Sequence, residues 1–329
     1  MSVTLIGESR AGEASPAAAG MLAPSVERAI GPAHDFGIAA RDRYPSYIEF
    51  LAERTRIRVP LNRRGILQVA LSGKGVKGLK KTAPPTARWL DAKELRELEP
   101  ALAHAAGAMF NPDDGAVDNT VLLSALLKLV STSARVVLVN DAVIDVEPRE
   151  SSAAVRTRSG TTHSAHQVVL AAGAWVGRIS GARLGRAVKP SRGQLVSYAT
   201  SPLGHVTYGP RGYVVPRGNL TIGGTTMEDV GFDASTTSEG VEKVRSAAEE
   251  ICPSLSRNNA TRSWAGLRPV TPDLLPILGP DPEHPSLIYA CGHSRNGVLM
   301  APLTGDLIAD LVTATPLSFD LAQFRPGRF

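Results

Sequence analysis

Between Trp264 and Pro302 the chain carries two distinctive pieces in succession, and together they restrict the fold more than any other stretch. The first, Trp264-Ala-Gly-Leu-Arg268-Pro-Val-Thr-Pro-Asp273-Leu-Leu-Pro-Ile-Leu-Gly279, sets one arginine among Pro269, Pro272 and Pro276. Each proline fixes φ, which predicts a stiffened loop. The second, Leu287-Ile-Tyr-Ala-Cys-Gly-His293-Ser-Arg295-Asn296-Gly297, reads as a short apolar strand, a glycine-bounded turn and a helix start. A turn at a helix N-terminus presents unpaired backbone N–H groups and the positive end of the helix dipole. The pair can hold an anionic ligand between two arginines. The plain alternative is a proline-rich surface loop followed by an ordinary strand, turn and helix.

Length allows two domains of ordinary size or one large one, since the chain has 329 residues. No apolar run is long enough to span a membrane. Cys252 and Cys291 are the only cysteines and have no metal-like spacing, so neither a disulfide framework nor a metal site is expected. The net charge of +5 is spread along the chain. Its densest runs, Arg54–Arg64 and Lys74–Lys81, lack interleaved aromatics and read as solvated faces rather than nucleic-acid contacts. Met1-Ser-Val-Thr-Leu-Ile enters a strand-like run with no basic flank, so no signal peptide and a cytoplasmic location are expected.

Ser2–Glu8 reads as a parallel strand ending in an acid, the place where a doubly wound sheet holds an adenosine ribose. The glycine fingerprint that precedes such an acid by about 20 residues would fall before Met1. The small residues of Gly12–Pro24 let a backbone approach either a flat ligand or a neighbouring element. Pro32–Phe50 is helical in character, with a kink or break expected at Pro45. Gly65–Ala70 is a strand. Gly73-Lys-Gly75-Val-Lys-Gly78 matches Gly-x-Gly-x-x-Gly literally, but Pro84-Pro85 follows closely and no strand with a terminal acid is predicted after it. A basic surface loop is the expectation there, a nicotinamide-nucleotide site the alternative.

Asp91–Leu98 is a short helix with an acidic N-cap, and Asn119–Val130 an amphipathic helix carrying Leu122, Leu123, Leu126, Leu127 and Val130 on one face. Strands are predicted over Arg135–Val139, Val143–Val146 and Ala153–Arg158. Gln167–Trp175 is a buried-type strand running into small residues. From Val188 short alternating strands dominate: Arg192–Tyr198, Tyr213–Arg217 and Leu220–Met227, followed by a helix over Thr237–Ile251. A nucleotide-binding domain of 1–34, 119–185 and 263–329 and a second, largely β domain of 35–118 and 186–262 are expected.

Ala14-Ser15 with Ala18-Ala19-Gly20-Met21-Leu22-Ala-Pro24, Arg192-Gly193-Gln194, Tyr213-Val-Val-Pro216, Ile222-Gly-Gly-Thr-Thr-Met227, the Leu-Arg-Pro stretch and Gly292-His-Ser-Arg-Asn-Gly297 resemble one family. It is that of the glycine oxidases and D-amino-acid oxidases, most closely the thiamine-pathway glycine oxidases, and the resemblance runs from Val3 to the C-terminal helix. It implies an α/β fold: an FAD-binding, Rossmann-like, doubly wound domain with an inserted, mostly antiparallel β substrate domain. It also implies oxidative deamination of glycine or another small amino acid or amine to an imine and then a 2-oxo acid, with ammonia and hydrogen peroxide. A D-amino-acid or sarcosine oxidase is the alternative within the family. Leu267 stands near where sarcosine oxidases carry the flavin-linking cysteine, so the flavin is expected to be non-covalent.

By the same resemblance Glu8 and Ser9 hold the ribose and Val143 meets the adenine. Ser15, Ala18, Ala19, Gly20, Met21, Leu22, Ala172, Gly173, His293, Arg295, Asn296, Gly297, Val298 and Leu299 line the rest of the cofactor. Arg268 clamps the substrate carboxylate, Tyr213 adds a hydroxyl, and Met227 and Arg295 complete the pocket. No side-chain base is needed once the amine is neutral; the protein supplies orientation and electrostatics. The partners implied are a small amino acid and oxygen, with a homo-oligomer possible and neither nucleic acid nor membrane. The family opens with a strand, a Gly-x-Gly-x-x-Gly turn and a helix that these residues lack. The expectation is a true start upstream of Met1, with a non-catalytic remnant unable to hold FAD as the other reading.

Overall fold

A computed structural model of the chain describes residues 1–27 and 31–329; residues 28–30, inside the expected segment 1–34, lie outside the described residues. Strand β1 (Val3–Gly7) is the β-branched run that opens the sequence. The four-residue helix α1 (Ala14–Ala17) and the two-residue strand β2 (Met21–Leu22) follow. Helix α2 (Pro32–Thr55) then runs unbroken for 24 residues with Pro45 inside it, where a kink or break is predicted. Proline costs about 3 kcal/mol in a helix interior. Burial of Phe36, Ala40, Tyr44 and Leu51 along the helix, on both sides of Pro45, holds it in line.

After β3 (Leu61–Asn62) and β4 (Ile66–Ala70), the Gly73–Gly78 stretch is not a loop but the helix α3 (Gly73–Lys81). Its start is fixed by Ser72, whose hydroxyl accepts the Gly75 N–H at 3.2 Å. A strand ending in an acid does follow, β5 (Arg88–Asp91), contrary to the sequence pattern. Asp91 is nonetheless consumed locally. It caps α4 (Ala92–Leu98), accepting from the Lys93 and Glu94 N–H groups at 2.8 and 2.9 Å, while Glu94 accepts the Asp91 N–H.

Next come β6 (Gly107–Asn111), β7 (Gly115–Val117) and α5 (Asn119–Ser131), the helix capped by Asp118. Leu122 of α5 is buried but Leu127 is 54% exposed, so the predicted apolar stripe is only partly covered. Strands β8 (Val136–Asn140), β9 (Val143–Pro148) and β10 (Ala153–Thr157) match their predicted places, and an unpredicted β11 (Thr162–Ala165) completes an antiparallel group with β9 and β10. Strand β12 (Val168–Leu170) stops short of Trp175 because Gly173–Arg178 coils into a 3-10 turn. The chain continues through β13 (Lys189–Tyr198), an unpredicted β14 (Val206–Tyr208), β15 (Tyr213–Arg217), β16 (Leu220–Gly224) and α6 (Ser238–Ile251). It closes with β17 (Arg262–Val270), β18 (Ile277–Pro280), β19 (Leu287–Cys291) and α7 (Gly297–Thr313).

Two bodies of structure result. One is an eight-stranded sheet of order β17-β13-β16-β15-β14-β4-β6-β5. Alternation along its strands gives it two faces. Val196, Tyr198 and Val214 pack on Val244, Ala248 and Ile251 of α6, while Leu195, Tyr213, Val215 and Ile222 pack on Ala19, Ala23 and Val26. The Leu-Arg-Pro stretch is part of this sheet, not a loop: β17 is an edge strand paired with β13 from Arg262–Ser197 to Val270–Lys189. An edge position tolerates Pro269, which lacks an N–H to donate.

The other body holds the parallel pairs β1–β8 and β12–β19, with β18 beside β19. Among the described residues no strand joins β1 to β12, and Leu5, Val137, Leu138 and Val169 are exposed. Helices α2 and α7 share a core in which Phe36, Tyr44 and Leu51 meet Leu299, Leu303 and Leu307. No helix of the described residues is long and apolar enough to cross a membrane.

Candidate active site

Arg268 comes from the middle of β17 and lies against Gly193 of β13, where any Cβ would collide with its guanidinium. That close approach explains why a glycine stands between Arg192 and Gln194. The guanidinium donates to the Thr226 carbonyl at 3.2 Å and the Thr225 hydroxyl at 2.9 Å. Both acceptors are neutral, and among the described residues no carboxylate pairs with it. Burial pulls its pKa down, with Tyr213 opposing and Arg295 adding to the fall. Arginine still stays charged, so the fold holds a half-buried cation whose partners carry no negative charge.

Tyr213 stands on β15 beside Gly224 of β16 and is 8% exposed. Burial raises its pKa, so the phenol remains a neutral donor. Tyr208 on β14 is its register partner, the two rings 5.6 Å apart. Arg295 follows on the turn before α7, and its Nη2 lies 2.5 Å from Oε2 of Glu27. Glu27 also accepts the Tyr208 hydroxyl at 3.3 Å. Met227 lies just beyond the threonines that hold Arg268 and is 58% exposed. The fold therefore gathers Arg268, Tyr213 and Arg295, with Met227 at an exposed edge.

Glu27 carries no motif that sequence spacing could flag. Its loop is fastened by Asp114, which is fully buried and accepts from the Ser25 N–H and hydroxyl at 3.1 and 3.0 Å and from Arg41 at 3.0 Å. Burial raises the Asp114 pKa, opposed by Arg41 and Ser25.

The predicted cofactor residues are spread over the ends of β1, β12 and β19, over β9, and over α1 and β2 beside the eight-stranded sheet. Glu8 follows β1, and its carboxylate accepts from Arg158 at 3.0 and 2.8 Å and from Arg10 at 3.0 Å. The Arg158 hydrogen bond, above all, holds it below the usual carboxylate range. Ser9 beside it is exposed, and Val143 is half-buried in β9. Ser15 is exposed on α1, and its carbonyl accepts from Asn119 at 2.6 Å. The small-residue run of Ala18, Ala19, Gly20, Met21 and Leu22 is gripped through its backbone. Arg217 donates to the Ala19 carbonyl at 2.9 Å and to Asn119 at 2.6 Å, and Trp264 donates to the Ala17 carbonyl at 2.9 Å. Gly20 takes φ of 80°, and a Cβ there would collide with the Val117 carbonyl. Sequence reasoning missed Arg217, Asn119 and Trp264 in this role, because their target is backbone carbonyls, which leave no mark in a sequence.

Ala172 precedes Gly173, which takes φ of 53° with open space where its Cβ would point. His293 is 3.1 Å from the Thr304 hydroxyl, and burial pushes its pKa down to about 4, so it is neutral. Asn296 makes no capping bond to α7, leaving the N–H groups around Gly297, Val298 and Leu299 without a side-chain partner. Tyr44 holds the turn from behind by donating to the Val298 carbonyl. A cleft of about 1000 Å³ lined by Ser9, Arg10, Ala17, Arg217 and Trp264 runs along α1 without reaching Arg268.

An ionised acid after a parallel strand, an open glycine beside the next one, a small-residue backbone and an uncapped helix N-terminus suit a flavin dinucleotide. Comparison with known proteins agrees. Residues 1–311 match the family of FAD-dependent oxidoreductases that includes D-amino-acid oxidase. The chain is 36% identical to the glycine oxidase of Geobacillus kaustophilus, over 94% of this chain and 86% of that one. It is 34% identical to the bifunctional protein ThiO/ThiG of Synechocystis, where all of this chain spans about half of the relative, 50%. Among solved structures, the G. kaustophilus glycine oxidase superposes with a TM-score of 0.90 at 34% identity, covering 99% of this chain and 92% of that one. Iminodiacetate oxidase from Chelativorans gives 0.90 at 25% identity, over 99% and 93%. The chain belongs to the FAD-dependent oxidoreductase family of the D-amino-acid oxidases.

Proposed function

We propose that this protein oxidises glycine, or a similarly small amino acid or amine, with oxygen. Glycine, oxygen and water give glyoxylate, ammonia and hydrogen peroxide. The observation that carries the reading is Arg268: a half-buried guanidinium that, among the described residues, is held by a carbonyl and a hydroxyl and no carboxylate, next to a neutral phenol. A carboxylate pairs with such a fork bidentately, which fixes the α-carbon as well as binding it. Tyr213 donates to the same carboxylate, Met227 closes the outer side, and Arg295 stands on the cofactor turn.

FAD, when bound, supplies the hydride acceptor and passes the electron pair to oxygen. Glu8, Ser9 and Val143 would hold its adenosine; Ser15, Ala18 to Leu22, Ala172, Gly173 and His293 to Leu299 would hold the rest. The α7 N-terminus favours negative charge beside it. No side-chain base is needed in this scheme once the substrate arrives with a neutral amine. Residues 1–34, 119–185 and 263–329 form the FAD-binding part of this scheme, and 35–118 with 186–262 the substrate part. Likeness to the glycine oxidase and ThiO/ThiG proteins supports glycine as substrate and a place in thiamine biosynthesis; a cytoplasmic location belongs to the same proposal.

The test is the visible spectrum of the purified protein and its peroxide output with glycine, sarcosine and D-alanine. A flavin band with glycine turned over fastest is expected. No peroxide from any of the three would overturn the reading, and D-alanine as the preferred substrate would transfer it to the D-amino-acid oxidases.

A further inference from the structure

We infer that Glu27 is a positioning residue that neutralises Arg295 and thereby keeps the site selective for ligands bearing one negative charge. The inference rests on Arg268 being the carboxylate clamp.

Two guanidiniums within one small site would favour a doubly charged anion. The fold counters this by setting the Glu27 carboxylate against Arg295, close enough for its charge to act on Arg268 as well. Glu27 is 11% exposed on its side chain, and its two oxygens are divided: Oε2 lies 2.5 Å from Arg295 and Oε1 accepts from Tyr208 at 3.3 Å. Its backbone N–H donates to the Ala23 carbonyl at 3.1 Å, and two residues earlier Ser25 is tied to the buried Asp114. The carboxylate is thus aimed from both ends.

Its field reaches the rest of the site. Burial first, then the charge of Glu27, raises the Tyr208 pKa; the same charge also bears on Tyr213 and Arg268. Arg268, Arg295 and Glu27 together sum to one positive charge, which a monocarboxylate with a neutral amine balances. A second anionic group would find Arg295 already engaged and Glu27 repelling it.

The experiment uses the flavin-loaded enzyme and two inert ligands, acetate and malonate, each titrated through the change it makes in the flavin absorption band. Glu27→Gln should raise the preference for malonate over acetate by about tenfold, the scale of one released charge pair. Glu27→Asp, which keeps the charge, should stay near the wild-type preference. Adding Arg295→Gln to Glu27→Gln should abolish the gain. An unchanged preference in Glu27→Gln, or a gain that survives the loss of Arg295, would overturn the inference. Neither ligand is turned over, so a protein that makes no peroxide from glycine would sink the proposed activity while leaving this preference readable.

Discussion

Arg268 and Arg295 are the same side chain on two halves of one stretch, and the fold treats them in opposite ways. Arg268 is locked into an edge strand, half-buried, and given a carbonyl and a hydroxyl. Arg295 rides on a turn, 48% exposed on its side chain, and is given the carboxylate of Glu27. The contrast shows that counter-ions, not the number of arginines, set what a site will bind. A cation with neutral partners has much to gain from a ligand carboxylate; one already paired has little.

Arg268→Ala attacks the contrast most directly. Losing charge-assisted hydrogen bonds worth about 3 kcal/mol should raise the KM for glycine roughly a hundredfold, with the flavin band retained. An unchanged KM would mean the carboxylate is held elsewhere. The next largest effect concerns the turn that carries Arg295. His293 has its pKa depressed by burial to about 4, from an ordinary 6.5, so the unfolded chain takes up a proton that the folded protein refuses. Its effect on stability is nil above pH 6.5, then grows unfavourable as pH falls toward 4, reaching roughly 3 kcal/mol. Urea midpoints at pH 7 and pH 5 should show the drop, and His293→Gln should flatten it. A wild-type slope in that variant would assign the pH dependence to other groups.

Arg295→Ala should cost less, about 1 kcal/mol or a several-fold rise in KM, because a half-exposed and paired cation contributes little. A loss as large as that of Arg268→Ala would erase the distinction between the two. Tyr213→Phe is the mildest change. Removing one neutral hydrogen bond should raise KM a few-fold, about 1 kcal/mol or less. A drop confined to kcat would instead place the phenol at the reacting atoms.

The two bodies of the molecule differ in how far their strands could be read. In the eight-stranded sheet, strong alternation along Arg192–Tyr198 and Tyr213–Arg217 located β13 and β15, since one face packs on α6 and the other on the Ala19–Val26 run. Where the alternation is short, as at Val206–Tyr208 and Thr162–Ala165, the strands escaped notice because partners distant in sequence supply their pairing. Prolines misled twice in the same direction. Pro45 and Pro269 weaken local propensity, but a buried helix face and an edge position override it.

Local chemistry determined a good deal without help from the fold. Asp91 announced its helix because a cap acts over three residues. The Gly292–Gly297 turn, the small residues of Ala14–Pro24 and the Leu-Arg-Pro stretch were enough to indicate the family, and with it FAD. Tertiary structure alone decided the charge of the site. Glu27 meets Arg295 across most of the chain, Asp114 fastens Glu27's loop from β7's approach, and Arg217 reaches back to Ala19. Such pairings depend on which side chains share a low-dielectric space, and adjacency in space is not written in adjacency along the chain. The sequence alone suggested two arginines around an anion; the fold gave one of them neutral partners and the other a counter-ion.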